Sequence, residues 1–147
     1  MLTVVRMSNR KSYQELDVWK QSRILVKIIY ELTKTFPSEE QFGLKTQMRR
    51  SAVSVPSNIA EGCGRNHSKD STQFFFIARG SLYELETQLI LAFDLNYLAQ
   101  EDFELGESQV TRCLKLLNGF INYFQSNTGN GQQTTVNEIL INYGDNS

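Results

Sequence analysis

The sequence predicts an all-α fold, one antiparallel up-down-up-down four-helix bundle. Three observations predict it. Apolar residues recur at three- and four-residue spacing over four long stretches, short polar or Gly/Pro turns separate those stretches, and the alternation of a half-buried strand is absent. At 147 residues the chain has the size of one domain, large enough to bury a core without disulfides or metal.

The first helix is read over residues 16–36, where Leu16, Trp19, Ile24, Val26, Ile28, Ile29 and Leu32 alternate with charges. Pro37 disfavours helix at the residue before it and ends the element. Ser38 with Gln41 three residues on has capping-box spacing, and Glu39 and Glu40 suit a positive helix end, so a second helix is expected from there. It runs through Leu44, Met48, Ala52, Val55 and Ile59, with a kink expected at Pro56 and a stop at Gly62-Cys63-Gly64. Ser68 is expected to cap a third helix over residues 69–97. Phe75, Ala78, Leu82, Leu85, Leu89 and Ala92 form its stripe, while Phe74, Ile77, Leu91 and Leu95 widen it beyond one seam. That excess predicts burial by a neighbouring subunit as well as by the bundle. The fourth helix starts at the acidic segment 100–104 and continues through Leu105, Val110, Cys113, Leu114, Leu117, Ile121 and Phe124. Residues 1–12 are read as a flexible leader, 13–126 as the bundle and 127–147 as a polar, disordered tail. Within that tail the patch Ile139-Leu140-Ile141 either docks or stays unordered.

Charge bounds the function. Fifteen Lys/Arg oppose sixteen Asp/Glu, unlike a dedicated nucleic-acid-binding domain. The balance is uneven along the chain: residues 1–36 hold seven Lys/Arg against three Asp/Glu, and 101–147 hold two against six. A local basic face therefore stays open. Cys63 and Cys113 form no close pair and read as free thiols of a cytoplasmic protein. No apolar run has the length of a membrane span. His67 is the single histidine, so neither the paired Glu-x-x-His set of a di-iron bundle nor a zinc site is expected, and no P-loop or catalytic triad is present. No cofactor is predicted.

The segment Gln47-Met48-Arg49-Arg50-Ser51-Ala52-Val53-Ser54-Val55-Pro56-Ser57-Asn58-Ile59-Ala60-Glu61-Gly62-Cys63-Gly64-Arg65 resembles the signature of the 23S rRNA-intervening-sequence protein family, the four-helix-bundle proteins. Leu16-Asp17-Val18-Trp19 with Phe36-Pro37, and the segment from Ile77 to Gln88, match further. The resemblance spans residues 13–125. It implies an antiparallel bundle that assembles into a ring, typically a homopentamer, and it implies little about activity. A related branch, the accessory proteins of diversity-generating retroelements, binds nucleic acid through strongly basic surfaces; this chain departs from it in its near-neutral charge.

Two sets of residues are candidates for function. On the second helix Gln47, Arg50, Ser54, Asn58 and Glu61 share one face beside the apolar stripe. They line either a cleft or channel or, as preferred here, a hydrogen-bonded network between helices or subunits, with Arg50, Glu61, Glu84 and Glu86 as paired charges. Arg49, Arg50, Arg65, Lys69 and Arg79 are the best candidates for a phosphate-binding patch, against a plain reading as solvated surface and ion pairs. The expected function is a non-enzymatic, ring-forming adaptor or scaffold whose partners are itself and a protein. The alternative is a nucleic-acid-binding accessory protein using that basic patch.

Overall fold

The computed structural model describes residues 12–128 and 135–145; they form five α-helices and no strand. The helices are α1 (Asp17–Thr33), α2 (Leu44–Cys63), α3 (Ser68–Asp94), α4 (Gln100–Ser126) and α5 (Val136–Asp145). Single 3-10 turns lie at Ser12–Glu15 and Ser38–Glu40.

The four long helices pack side by side as a bundle. Contacts are most extensive between α2 and α3, and α3–α4, α1–α2 and α1–α4 complete the circuit. Each long helix thus has two neighbours, and the apolar stripes meet inside. Leu25 and Ile29 of α1, Met48, Val55 and Ile59 of α2, the whole α3 stripe from Phe75 to Ala92, and Val110, Cys113, Leu117, Phe120 and Phe124 of α4 are fully buried. Edge-to-face rings tie α3 to α4, with Phe75 at 4.9 Å from Phe120 and 5.1 Å from Phe124.

Two stripe residues expected inside are at the surface. Ile24 and Leu105 are both exposed. The position beside Leu105 that faces inward is Gly106, where an added Cβ would stand 2.9 Å from Leu89 and 3.3 Å from Leu32. Those two leucines already fill the space. At the other end, Gly62 lets α2 approach α3: a Cβ there would lie 2.5 Å from the Phe75 ring and 2.9 Å from the backbone oxygen of Ser71. Gly62 is therefore a packing residue as well as part of the α2 stop.

Helix starts depart from the expected caps. The Ser38–Gln41 spacing yields only the 3-10 turn, and α2 begins at Leu44. The Glu40 carboxylate supplies the cap, its Oε2 accepting from the Leu44 N–H at 2.7 Å. Ser68 lies in the first turn of α3, after an N-cap at His67. Pro56 does not break α2, which stays one helix across it. The tail expected to be disordered contains a helix: Val136, Ile139 and Leu140 of α5 are buried against the bundle. The leader expected over residues 1–12 lies outside the described residues except for Ser12, and so do 129–134 and 146–147 of the tail.

Candidate functional site

The best-organised polar feature on the residues singled out above is a seam between α2 and α3. Asn58 Nδ2 donates to the Ser54 backbone oxygen and to Ser54 Oγ, both at 2.8 Å. Ser54 Oγ and Ser81 Oγ are 2.8 Å apart, and Ser81 Oγ donates to the Ile77 carbonyl at 3.1 Å. An amide N–H can only donate and a carbonyl can only accept, so the direction is fixed: Asn58 to Ser54, Ser54 to Ser81, Ser81 to Ile77. Each hydroxyl proton is committed, and no base adjoins either serine in the chain of bonds. This geometry fixes helix register; it does not activate a nucleophile.

The rest of the predicted ribbon does not join this seam. Gln47 and Arg50 are exposed, and Glu61 pairs at 3.0 Å with Arg65, which lies just past the end of α2. Glu84 accepts from Gln88 at 3.4 Å, one turn along α3, and Glu86 is half-buried. Neither glutamate pairs with Arg50 among the described ion pairs. Ser81, the cross-helix partner, was not among the singled-out residues. It lies 27 positions from Ser54, and spacing along one helix cannot supply the register of another.

The five candidate cations do not converge within one chain. Arg49 turns onto α1, its Nε donating to Thr33 Oγ1 at 2.9 Å and its guanidinium standing 4.4 Å from the Tyr30 ring centre. Arg79 turns onto α4, donating to Asn118 Oδ1 at 3.2 Å over the Phe76 ring. The α1–α2 and α3–α4 seams are opposite sides of the bundle. Arg65 lies just past the far end of α2, roughly 24 Å along the axis from Arg49, and stands over Phe74. Arg50 and Lys69 are exposed. Arg49→Ala should accordingly lower unfolding free energy by about 1–2 kcal/mol, and Arg50→Ala by less than about 0.5 kcal/mol, in urea titrations.

Other chemistry is sparse. Burial pushes the thiols of Cys63 and Cys113 up to about 12, the nearby Arg112 charge opposing the shift at Cys113. Neither is a thiolate nucleophile near neutral pH. Among the described residues no three His, Cys, Asp or Glu side chains gather as metal ligands. An open groove of about 800 Å³ between α1 and α4 is lined by Asp17, Glu104, Glu107, Arg112 and Lys115. It carries both charge signs and none of the candidate residues. No described helix is long and apolar enough to cross a membrane.

The geometry thus defines a class: an all-α bundle protein whose polar seam joins two helices. The family of 23S rRNA-intervening sequence proteins matches over residues 14–119, and the chain belongs to it. A crystal structure of a protein with unknown function from the S23 ribosomal protein family of Bacteroides thetaiotaomicron VPI-5482 is similar, with 26% identity and a TM-score of 0.68. That similarity covers 74% of this chain and 98% of the other. No curated protein matches the chain.

Proposed function

We propose that the chain is a non-enzymatic scaffold, an antiparallel up-down-up-down bundle that closes into a homopentameric ring and presents a repeated surface to a protein partner. One observation carries this reading. Ile77, Tyr83, Leu91 and Leu95 of α3 are 51%, 50%, 46% and 53% exposed, with Ile90 beside them. Ile77 and Leu91 lie two heptads apart and Tyr83 and Ile90 one, so they recur along the outer side of one helix. Apolar contact area of this kind on a single element marks an interaction surface. The opposed helix directions are supported by contacts between starts and ends: Arg49 near the start of α2 meets Thr33 at the end of α1, and Phe75 near the start of α3 meets Phe124 near the end of α4. A stripe that meets a different face of the next copy generates rotation, and rotation that closes is a ring. Repetition then raises avidity for a partner spanning several copies.

Light scattering should give roughly 85 kDa, five copies of the 16.9 kDa chain. A monomer at micromolar concentration would overturn the reading. Ile77→Asp with Leu91→Asp should reduce the mass to one copy while the helical circular dichroism persists, because neither side chain is in the monomer core. The nucleic-acid alternative requires Arg50 and Lys69 of neighbouring copies to converge. Fluorescence anisotropy with structured RNA and duplex DNA tests it: binding must weaken linearly in log–log salt plots and drop on Arg50→Ala. No binding at low salt retires it.

A further inference from the structure

One wall of the α1–α4 groove is a face of α4 whose charge reverses along its length. Glu104 and Glu107 hold its first half, Ser108 and Thr111 its centre, and Arg112 and Lys115 its second half; all six are exposed. At about 100° per residue they fall within roughly 140° of the helix surface, a single face. The acid-to-base separations are five, eight, eight and eleven residues. None is the three- or four-residue spacing at which a helix pairs its own charges. Among the described residues none of these four charges belongs to an ion pair, and Asp17 on the α1 wall pairs with neither cation.

The six positions are symmetric about the midpoint between Gln109 and Val110. Turned end for end, the face puts Lys115 where Glu104 stood, Arg112 where Glu107 stood and Thr111 where Ser108 stood. A two-fold axis at that midpoint lays α4 of a second copy antiparallel on the first. Glu104 then faces Lys115 of the second copy, and Glu107 stands level with Arg112 of the second copy across the seam. Each such relation occurs twice. Parallel pairing would set like charge against like. The short hydroxyl side chains at the centre let the helices approach, and the groove of about 800 Å³ receives the longer ones. The same face accounts for two exposed apolar residues. Gln109 Nε2 donates to the Gln21 carbonyl at 2.9 Å and to Gln21 Oε1 at 3.0 Å, which sets the α1–α4 register. Ile24 and Leu105, 43% and 50% exposed, stand one turn further along that seam.

We propose that this face of α4 is a two-fold docking surface for a second copy of the chain, held by charge complementarity. The occupant is a second copy because only the face itself repeats the complement in register at every position. The surface is separate from the outer side of α3, so both can be occupied at once. A ring of five at about 1 M salt then becomes a pair of rings at low salt, because screening shortens to about 3 Å at 1 M.

The test weighs the full chain by light scattering at low salt. Glu104→Lys with Glu107→Lys makes the six-residue face wholly basic, and Arg112→Glu with Lys115→Glu makes it wholly acidic. Each variant alone should contain half as many copies as the unaltered chain while its helical circular dichroism persists. Mixing the two should restore the doubled mass. The ratio of masses is the readout, so it holds whether the unpaired unit is one chain or a ring. Equal masses for the unaltered chain and both variants would overturn the proposal, and so would a halved mass that mixing does not restore. Should either variant lose helicity, Thr111→Cys tests the same axis. Two copies of position 111 would lie about 4.5 Å apart along the helix direction, within disulfide reach, whereas two copies of position 101 would lie about 25 Å apart. The native thiols Cys63 and Cys113 are buried. Oxidation should link Thr111→Cys into pairs of about 34 kDa, two copies of the 16.9 kDa chain, and leave Glu101→Cys unlinked. Equal linking of the two variants, or none in either, counts against the two-fold.

Discussion

Phe75→Ala should remove about 3–5 kcal/mol of stability and lower the thermal midpoint by about 10 to 15 °C. Phe75 is fully buried, with edge-to-face contacts to Phe120 and Phe124 at 67° and 85°. Its other side rests against α2, so close that Gly62 has no room for a Cβ. Truncation would leave a cavity walled by two rings and a helix backbone, none of which can move in to fill it. Such sites fall at the costly end of large-to-small changes, because the lost transfer energy adds to a cavity that does not collapse. A domain with a total stability of about 5–15 kcal/mol would still fold, with little margin. Phe76 is the control, one position along, half-buried and beneath Arg79. Phe76→Ala should cost less than half as much in the same urea and melting experiments. Equal losses would mean that the Phe75 ring cluster is not the anchor of the α3–α4 seam.

That stripe was plain in the sequence, because Phe75, Ala78, Leu82, Leu85, Leu89 and Ala92 repeat at helical spacing and all are fully buried. The errors have local physical causes. Ser38 and Gln41 satisfy the spacing of a capping box, but a 3-10 turn satisfies the same residues, and Glu40 reaches the real helix start. Periodicity selected Leu105 over Gly106 because it counts apolar side chains. It cannot see that Leu89 and Leu32 already occupy the interior position. The α5 helix was hidden by the Asn- and Gly-rich stretch before it. The signal that finds it is the Thr135–Glu138 capping spacing followed by Val136, Ile139, Leu140 and Tyr143. At the candidate site, the shared face of Ser54 and Asn58 was legible from one helix. Ser81, Thr33 and Asn118 were not, since each is chosen by register across a helix pair.

Alkaline pH should unfold the protein earlier than its ordinary surface charges would suggest. Cys63 and Cys113 have thiols raised from a usual value near 9 to about 12, by burial first at both sites. The folded chain therefore keeps both protons where the unfolded chain releases them. The stabilisation is complete below the unfolded value and is lost as pH climbs from about 9 towards 12. Each such thiol contributes a slope of about 1.4 kcal/mol per pH unit in that window, so two thiols over two units approach about 5 kcal/mol. That is comparable with the total stability of a small domain. Urea midpoints at pH 8, 9, 10 and 11 should show the fall. The double variant Cys63→Ala, Cys113→Ala should start somewhat lower, because two buried sulfurs are lost, and then decline less steeply above pH 9. A parallel decline in wild type and variant would move the cause to tyrosine and lysine ionisation. The two curves would then differ by a constant, which is the signature of lost packing without lost protons.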